Sequence, residues 1–347
     1  MSLQIDQWYI ENLRCPVDKS SLIVSNGELL CSCGRSYPVV DGIPVMLRDD
    51  VPLTIDIAAA SLKRARDNHE ADKRAPELYL ESLGISEDEK KGIVELYQSN
   101  NSEIDPVVAY MIGATSGYSY ISLLGNIREY PIPNIRLSEG NNKLLLDIGC
   151  NWGRWSIAAA RKGYVSIGID PSLGAVMAAR RVTKHFGLNC RFVVGDARYL
   201  PFKEQLFDTV FSYSVLQHFS KPDVRQVLME IAKVEKQSSL TLIQMANFLG
   251  IRSIQHQMAR GFRKPSAFDV RYWSIGELKH EFSKSIGPTS TSVDCFFGLG
   301  LQKSDMKYMA TPMKVLIYIS EILRKLSKRL NILKYFADSV YVKSIHN

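Results

Sequence analysis

The chain has 347 residues, of which 46% are hydrophobic and 23% charged, a balance typical of globular proteins with more than one structural unit. No stretch approaches the roughly 18 apolar residues of a transmembrane helix, and the start M-S-L-Q-I-D-Q-W lacks the basic and apolar regions of a secretory signal, so we expect neither. The net charge is +7, and residues 303–347 carry nine Lys/Arg against three Asp/Glu, so no nucleic-acid-binding surface spread over the chain is indicated.

Residues 1–50 predict a small, separate β unit of the zinc-ribbon type. L-R-C-P-V-D (13–18) is a turn with one thiol, and C-S-C-G-R-S-Y-P-V-V-D-G-I-P-V-M (31–46) is a thiol pair leading into a short β segment. Paired thiol turns can bring four ligands to a tetrahedral zinc ion, which stabilises a unit too small to fold alone. The ligands would be Cys15, Asp18, Cys31 and Cys33. The alternative is a metal-free ribbon held by packing of Val39, Val40, Ile43 and Val45 on the rest of the chain.

The six cysteines show no spacing typical of a disulfide framework. Such spacing would be expected of a small secreted domain, whereas free thiols persist in reducing compartments. We therefore predict a cytoplasmic protein.

Residues 51–140 predict a helical lid or linker. Residues 54–100 are charged and have a helical pattern, and Asp105-Pro106 starts a short apolar helix. Because the segment lies directly before the first strand of the main domain, we expect it to cover a ligand site.

A buried strand at the start of the main domain leads into a glycine-bearing turn. Residues 144–153 read L-L-L-D-I-G-C-N-W-G, in which Asp147 ends the apolar run and Gly149 and Gly153 open the turn. Asn151 stands between the two glycines and tolerates a positive φ better than most residues. Such a loop lets the backbone approach a ligand closely at a helix N-terminus.

Acidic residues end the apolar runs that follow. V-S-I-G-I (165–169) ends in Asp170, where an acid that binds ribose is expected. V-V-G-D-A (193–197) contains Asp196, and F-D-T-V-F-S-Y (207–213) ends near Ser212 and Tyr213. Because the carboxyl ends of parallel strands meet at one edge of a sheet, the series predicts one ligand site there.

These four motifs, in this order over residues 140–250, resemble the class I S-adenosylmethionine-dependent methyltransferases, particularly the branch that acts on small molecules and lipids. The resemblance implies S-adenosylmethionine as the methyl donor. It also implies the roles of the site residues. Asp147, Gly149, Asn151 and Gly153 would hold the methionine part, Asp170 the ribose, Asp196 and the Ala197 amide the adenine, and Ser212 and Tyr213 would lie beside the methyl group. Helix capping is the structural alternative for Asp170 and Asp196.

His218, in Q-H-F after the fourth strand, is the candidate catalytic base, since histidine titrates near neutral pH. The alternative is that it only shapes the pocket or bonds to the backbone.

The first 50 residues resemble the small zinc-ribbon adaptors that activate RNA and protein methyltransferases, with Y-P-V-V-D-G-I-P-V-M matching their closing strands. The sequence departs from the four-cysteine pattern at two places. Asp18 stands at the second cysteine of the first pair, and the later pair is C-x-C. Zinc-bound and metal-free ribbons therefore both stay open.

The predicted architecture is α/β. A Rossmann-like, seven-stranded methyltransferase sheet over residues 141–347 follows the ribbon and the lid, and its last strand is expected to be antiparallel. The sheet is expected to carry a substrate insert at 247–288 and a helical insert at 303–337.

Both inserts carry cations. The substrate insert contains Arg252, His256, Arg260, Arg263, Lys264 and Arg271, which suit an anionic acceptor or a solvated face. The helical insert has an apolar stripe formed by Val315, Leu316, Ile319, Ile322, Leu323, Leu326, Leu330 and Leu333. We expect this stripe to pack on the domain; the alternative is peripheral contact with an anionic membrane.

The sequence therefore predicts methyl transfer to a small-molecule or carrier-linked acceptor, such as a sugar, a lipid or a natural product. Ser212-Tyr213-Ser214 stands where adenine and glutamine N-methyltransferases have N-P-P-Y or D-P-P-Y. An RNA or protein methyltransferase with its adaptor fused in cis is one alternative, and a non-catalytic scaffold is another. No oligomeric state is predicted.

Overall fold

The computed structural model describes residues 5–347 except 54, 68–71, 267 and 299. The positions outside this description fall in the predicted ribbon, lid and substrate insert and in the stretch just before the helical insert. The N-terminal unit consists of a short helix, α1 (Gln7–Asn12), and four antiparallel strands in the order β1-β2-β3-β4: β1 (Leu22–Ser25), β2 (Glu28–Cys31), β3 (Ser36–Val40) and β4 (Ile43–Pro44). It is the predicted ribbon-like unit.

The segment before the main sheet is helical. It contains α2 (Asp56–Arg66), α3 (Glu87–Ser99) and α4 (Pro106–Ser116), with 3₁₀ turns at Pro76–Leu78, Leu80–Ser82 and Tyr118–Leu123. The carboxylate of Asp105 accepts hydrogen bonds from the amides of Val107 and Val108, so helix α4 starts at the predicted Asp-Pro step.

The main domain is built on a seven-stranded sheet. Its strands are β5 (Leu144–Ile148), β6 (Val165–Asp170), β7 (Arg191–Val194), β8 (Phe207–Ser212), β9 (Glu235–Ala246), β10 (Thr289–Cys295) and β11 (Ser339–Ile345). Their order is β10-β11-β9-β8-β5-β6-β7. β5 to β9 pair in parallel, whereas β11 runs antiparallel to both β9 and β10. The predicted Rossmann-like sheet with an antiparallel last strand is confirmed.

Helices cover both faces of this sheet. They are α5 (Arg154–Ala160), α6 (Leu173–His185), α7 (Lys221–Val234), α8 (Ile251–Ala259), α9 (Ile275–Ser285) and α10 (Thr311–Leu326), with 3₁₀ turns at Ala197–Tyr199, Leu216–His218, Lys303–Tyr308 and Asn331–Phe336. Leu278 and Phe282 of α9 are fully buried in the main core. The α9 part of the predicted substrate insert is therefore a structural helix, and only residues before it reach the strand ends.

The N-terminal unit is docked on β7, at one edge of the large sheet. The Tyr9 hydroxyl donates to the Phe192 carbonyl at 2.8 Å, and the Met46 amide donates to the Val194 carbonyl at 2.7 Å. Val45 is fully buried in a cluster with Val194. The ribbon is thus held by packing on the main domain, as the metal-free alternative requires, whether or not it also binds zinc.

The apolar stripe of the helical insert does not pack as expected. Six of its eight residues are exposed, namely Val315, Leu316, Ile319, Ile322, Leu326 and Leu330, and only Leu323 and Leu333 pack partly on the core. Helix α10 instead buries Ile317, Ser320 and Glu321. The Ser320 hydroxyl accepts the Phe296 amide, and Glu321 is paired with Arg136 and Arg324. These polar contacts fix the other side of the helix against the domain.

Within the described residues, none of the helices combines the length and apolar character needed to cross a bilayer. The six cysteines all lie in this part of the chain, and each has a free thiol.

Candidate functional site

Three alternate residues of the loop after β5 have a positive φ. Gly149, Asn151 and Gly153 have φ of 72°, 45° and 82°. A Cβ on Gly149 would lie 2.3 Å from Cγ2 of Val215, so only glycine fits there. The amides of Gly149 and Cys150 donate to the Ile169 carbonyl at 2.8 and 3.1 Å. These contacts fix the loop against the end of β6.

Asp170 lies at the end of β6 and receives two backbone amides. Its Oδ2 accepts the Asn151 amide at 3.0 Å and its Oδ1 accepts the Ser172 amide at 2.9 Å. Burial raises the pKa of Asp170 to about 6, although both amide bonds lower it. Ser172, not Asp170, caps helix α6, so the capping alternative is wrong for Asp170.

Asp196 follows β7 and does act as a cap. Its carboxylate accepts the Arg198 amide at 2.9 Å at the start of the 3₁₀ turn Ala197–Tyr199. The same carboxylate is paired with the Arg198 guanidinium at 2.8 Å, and both side chains are nearly buried. The ion pair fixes Asp196 in place at the strand end.

A cavity of about 210 Å³ lies at these strand ends. Segments after β5, β6, β7 and β8 all contribute to it, as the sequence predicts. Of the predicted site residues, those on its wall are Gly149, Asn151, Asp170, Asp196, Ala197, Tyr213 and His218. We call it the first cavity.

Three predicted cofactor residues do not line the first cavity. Asp147 is buried behind the loop, where its carboxylate accepts the Ser156 hydroxyl at 2.7 Å and burial raises its pKa to about 7. The Ser212 hydroxyl donates to the Ile148 carbonyl at 2.9 Å, so it faces the neighbouring strand. Gly153 starts helix α5 close to Ala179. These three residues support the loop from behind, and their contact with the cofactor stays a prediction.

Tyr213 forms an aromatic wall of the first cavity together with Trp155. The two ring centroids are 4.5 Å apart. The Tyr213 hydroxyl donates to Asp294 at 2.9 Å, and burial raises its pKa well above the usual range. Tyr213 is therefore held neutral and oriented by a partner outside the cavity.

His218 also lies on the first cavity, stacked on Phe268 with ring centroids 4.0 Å apart. Its Nδ1 is 2.7 Å from the Phe268 carbonyl oxygen. Because a carbonyl can only accept, Nδ1 carries the proton and Nε2 has the free lone pair. Burial lowers the pKa of His218, so the imidazole is neutral at neutral pH.

A second cavity of about 220 Å³ adjoins the first. The two share Ala114, Thr115, Arg154, Tyr213 and Ser214. The second cavity extends toward helix α8, and its polar lining includes Gln217, Gln244, Arg252, His256 and Tyr272.

Only two of the six cations in the predicted substrate insert reach the second cavity, namely Arg252 and His256. Arg260 is bonded to the Val270 carbonyl, and Arg271 to the His218 and Asp269 carbonyls. Arg263 and Lys264 are exposed. The insert therefore offers the cavity one guanidinium and one imidazole rather than a cluster of six basic side chains.

Several residues of the first cavity carry no signal in the sequence. The lid contributes Ile55, Ile57, Leu83, Ala114 and Thr115, and the insert contributes Phe268. Their place depends on how distant segments pack, which local patterns do not encode. The sequence indicates these lining residues only through the general expectation that a lid covers the strand ends.

The predicted metal ligands of the ribbon are together in space. One ligand atom from each of Cys15, Asp18, Cys31 and Cys33 lies within 4.8 Å of all the others. The Sγ atoms of Cys15 and Cys33 are 3.8 Å apart, and Cys31 Sγ is 3.4 Å from Asp18 Oδ1. Ligands at about 2.3 Å from a tetrahedral zinc ion are about 3.8 Å from one another. The four residues fit a zinc ion.

The ligand cluster has supporting hydrogen bonds. The Ser20 amide and hydroxyl donate to Asp18 at 3.0 and 2.8 Å, and the Cys33 amide donates to Cys31 Sγ at 3.3 Å. Such outer contacts orient metal ligands before the ion binds.

The comparison with known proteins agrees with this geometry. Residues 145–238 match the family described as "Methyltransferase domain". The chain is 34% identical over 100 residues to the uncharacterized methyltransferase YcgJ of Bacillus subtilis, an alignment that covers 28% of this chain and 39% of the relative. The solved structure of the YcgJ protein aligns with 60% of this chain and 93% of its own, at 20% identity and a TM-score of 0.40. The chain spans about two fifths of the length of the curated methyltransferases it matches.

The sheet order, the loop after β5 and the family match together define a class I S-adenosylmethionine-dependent methyltransferase domain.

A further segment has relatives of another kind. The chain is 43% identical over 61 residues to a UPF0434 protein of Alcanivorax borkumensis, which covers 17% of this chain and 98% of the relative. A UPF0434 protein of Nitrosococcus oceani is 48% identical over 48 residues, 13% of this chain and 81% of the relative. Over that short segment, the chain belongs to the UPF0434 family.

Proposed function

We propose that this protein transfers a methyl group from S-adenosylmethionine to a small-molecule or carrier-linked acceptor. The observation that carries the proposal is the joining of two cavities at the strand ends. The first has the loop and the two carboxylates expected of a nucleoside site, and the second opens beside it across Tyr213 and Ser214. This arrangement suits a donor and an acceptor that must meet in line.

The residues of the first cavity suit the donor. Asp170 offers two carboxylate oxygens, each with a lone pair left after one amide bond, to the two ribose hydroxyls. Asp196 and the Ala197 amide would meet the adenine. Bound S-adenosylmethionine supplies an electrophilic methyl group on a sulfonium, so the protein mainly aligns the reactants and excludes water.

His218 would take the acceptor's proton. Its Nδ1 donates to the Phe268 carbonyl, so Nε2 is the atom left to accept. The stack on Phe268 limits rotation of the ring. A neutral imidazole with one fixed lone pair is the form that a general base requires.

The acceptor would lie in the second cavity, where Arg252 and His256 favour an anionic group such as a phosphate or carboxylate. No described residue between 5 and 50 lines either cavity. The ribbon docks on β7, which is the edge strand of the sheet opposite to the other edge strand, β10. This placement supports a small acceptor over a macromolecule held by the ribbon.

Two measurements test the proposal. Calorimetry should show binding of S-adenosylmethionine and of S-adenosylhomocysteine, and a protein that binds neither would be a scaffold. Extract incubated with methyl-labelled S-adenosylmethionine should then carry the label in its small-molecule or lipid fraction. Label found in RNA or protein would overturn the assignment of the acceptor in favour of the cis-fused alternative.

A further inference from the structure

Helix α10 turns its apolar side away from the protein. Ile317, Ser320 and Glu321 are its buried residues, whereas Val315, Ile319, Ile322 and Leu326 are 53%, 39%, 47% and 40% exposed. At 3.6 residues per turn these two sets lie on opposite sides of the helix. An amphipathic helix on a globular domain normally buries its apolar stripe. Here the stripe faces outward.

Helix α8 has the same arrangement. Its buried residues are Ser253 and Gln257, whereas Ile251 and Met258 are 47% and 56% exposed. The residues before the helix, Phe248 and Leu249, are exposed as well.

The two stretches are neighbours in the fold. The Asn247 side chain donates to the carbonyls of Tyr335 and Ala337, both at 2.8 Å. The amides of Arg252 and Ser253 donate to the Asp338 carboxylate. The start of α8 is therefore tied to the end of the segment that follows α10. The exposed residues of both stretches are Phe248, Leu249, Ile251, Met258, Val315, Leu316, Tyr318, Ile319, Ile322, Leu326, Leu330, Ile332, Tyr335 and Phe336. We call them the outward face.

The exposed charges within the two stretches that form the outward face have one sign. Residues 311–336 contain Lys314, Arg324, Lys325, Lys328, Arg329 and Lys334. Their one acid, Glu321, is buried and paired with Arg136 and Arg324. Residues 248–264 contain four Lys/Arg and no acid. Exposed charge contributed by these two stretches is therefore basic.

The combination of exposed apolar residues and basic charge indicates what binds to the outward face. Large exposed apolar patches mark interaction sites. A second copy of the chain would bring two basic surfaces together, which is unfavourable. An anionic lipid surface offers both an apolar boundary and negative charge. We infer that the outward face binds the surface of an anionic phospholipid bilayer.

In this arrangement α10 lies in the plane of the interface. Its apolar residues enter the boundary between headgroups and acyl chains, a depth of about 5–10 Å. Exposed Lys325, Lys328 and Arg329 meet the lipid phosphates. None of the described helices spans the bilayer, so the attachment is peripheral.

Vesicle sedimentation tests the inference on the intact chain. The protein should pellet with phosphatidylcholine vesicles that contain phosphatidylglycerol, should stay in solution with pure phosphatidylcholine, and should be released by high salt. Ile319→Ser with Ile322→Ser should weaken binding about tenfold through lost apolar burial. Lys325→Gln with Lys328→Gln should weaken it by at least about tenfold, since each cation near an anionic surface contributes about fivefold.

Ile23→Ser is the matched control, because Ile23 is 66% exposed on β1 of the ribbon, remote from this face. It should pellet like the parent protein. Circular dichroism must show the variants folded.

Absence of pelleting, equal pelleting with neutral vesicles, or full binding by the Ile319/Ile322 variant overturns the inference. A dimer in sedimentation velocity that these substitutions dissociate would assign the face to a second copy instead. Vesicle binding is measured without methyl transfer, so its result is independent of the proposed reaction.

Discussion

The backbone amide of Asn151 donates to Oδ2 of Asp170 at 3.0 Å, across the gap between the loop after β5 and the end of β6. Asn151 has a positive φ of 45° in this loop. With the Ser172 amide on Oδ1, both oxygens are oriented before a ligand arrives. The loop and the acid thus form one preorganised unit.

Asp170→Asn should weaken binding of S-adenosylhomocysteine. The change removes the charge that accepts the ribose hydroxyls and places an amide NH₂ next to a backbone donor. Hydrogen bonds to a charged group contribute about 1.5–3 kcal/mol, so the Kd should rise by roughly 10- to 150-fold. Isothermal titration calorimetry measures it. Asp208→Asn is the control, because Asp208 accepts the Leu144 amide and Lys236 and does not line the cavity. An unchanged Kd for Asp170→Asn would exclude the assignment.

The affinity for S-adenosylhomocysteine should fall as the pH is lowered through about 6. Burial raises the pKa of Asp170 to about 6, so the free protein holds a protonated, poorer acceptor below that pH. Below pH 6, the affinity should fall by up to about tenfold for each further pH unit. Binding measured from pH 8 to pH 5 should show this slope, and Asp170→Asn should flatten it. A slope that persists in the variant would point to another group, such as Asp147.

The sequence was a good guide to the strand ends and a poor one to what surrounds them. The alternation of apolar runs and acids placed Asp170 and Asp196 on one cavity because sheet topology brings successive strand ends together. Ser212 shows the limit of that argument, because the last side chain of a strand can bond to the neighbouring strand instead of facing the ligand site. Its neighbour Tyr213 lines the cavity, while Ser212 bonds to β5.

Periodicity in α10 likewise revealed an apolar stripe without revealing its direction. A stripe of this kind is usually buried because that removes apolar area from water. In this fold the Glu321 ion pairs and the Ser320 hydrogen bond hold the other side of the helix on the domain. Those partners, Arg136 and Phe296, are distant in sequence, so no local pattern could indicate them.

His218→Gln should lower turnover by roughly 10²-fold or more while leaving the affinity for S-adenosylhomocysteine unchanged. Glutamine can still donate to the Phe268 carbonyl but cannot take a proton. Turnover of the parent protein should fall as the pH drops through the lowered pKa of His218, and the variant should lack that limb. Steady-state rates across pH, taken with calorimetry, separate this role from a merely structural one.

Parent-like turnover would show that His218 only shapes the pocket. Phe268→Leu, which keeps the backbone carbonyl, should reduce kcat less than His218→Gln does.

The ribbon should contain one zinc ion per chain after purification without chelators. Cys15, Asp18, Cys31 and Cys33 are at the spacing of tetrahedral ligands. Cys33→Ser should remove the ion, whereas Cys190→Ser, outside the cluster, should retain it. Asp18→Cys should bind zinc more tightly, because it restores a fourth thiolate. Elemental analysis by atomic emission measures each stoichiometry.

Zinc bound only by the folded ribbon must also stabilise it. Chelation should therefore lower the temperature at which the ribbon unfolds, and Cys33→Ser should have the same effect without a chelator. The main domain should melt later, since its core contributes most of the buried apolar side chains. Because Val45, Met46 and Tyr9 dock the ribbon on β7, the loss should be partial rather than complete. Sub-stoichiometric metal and a melting curve indifferent to chelation would leave packing on β7 as the sole support of the ribbon.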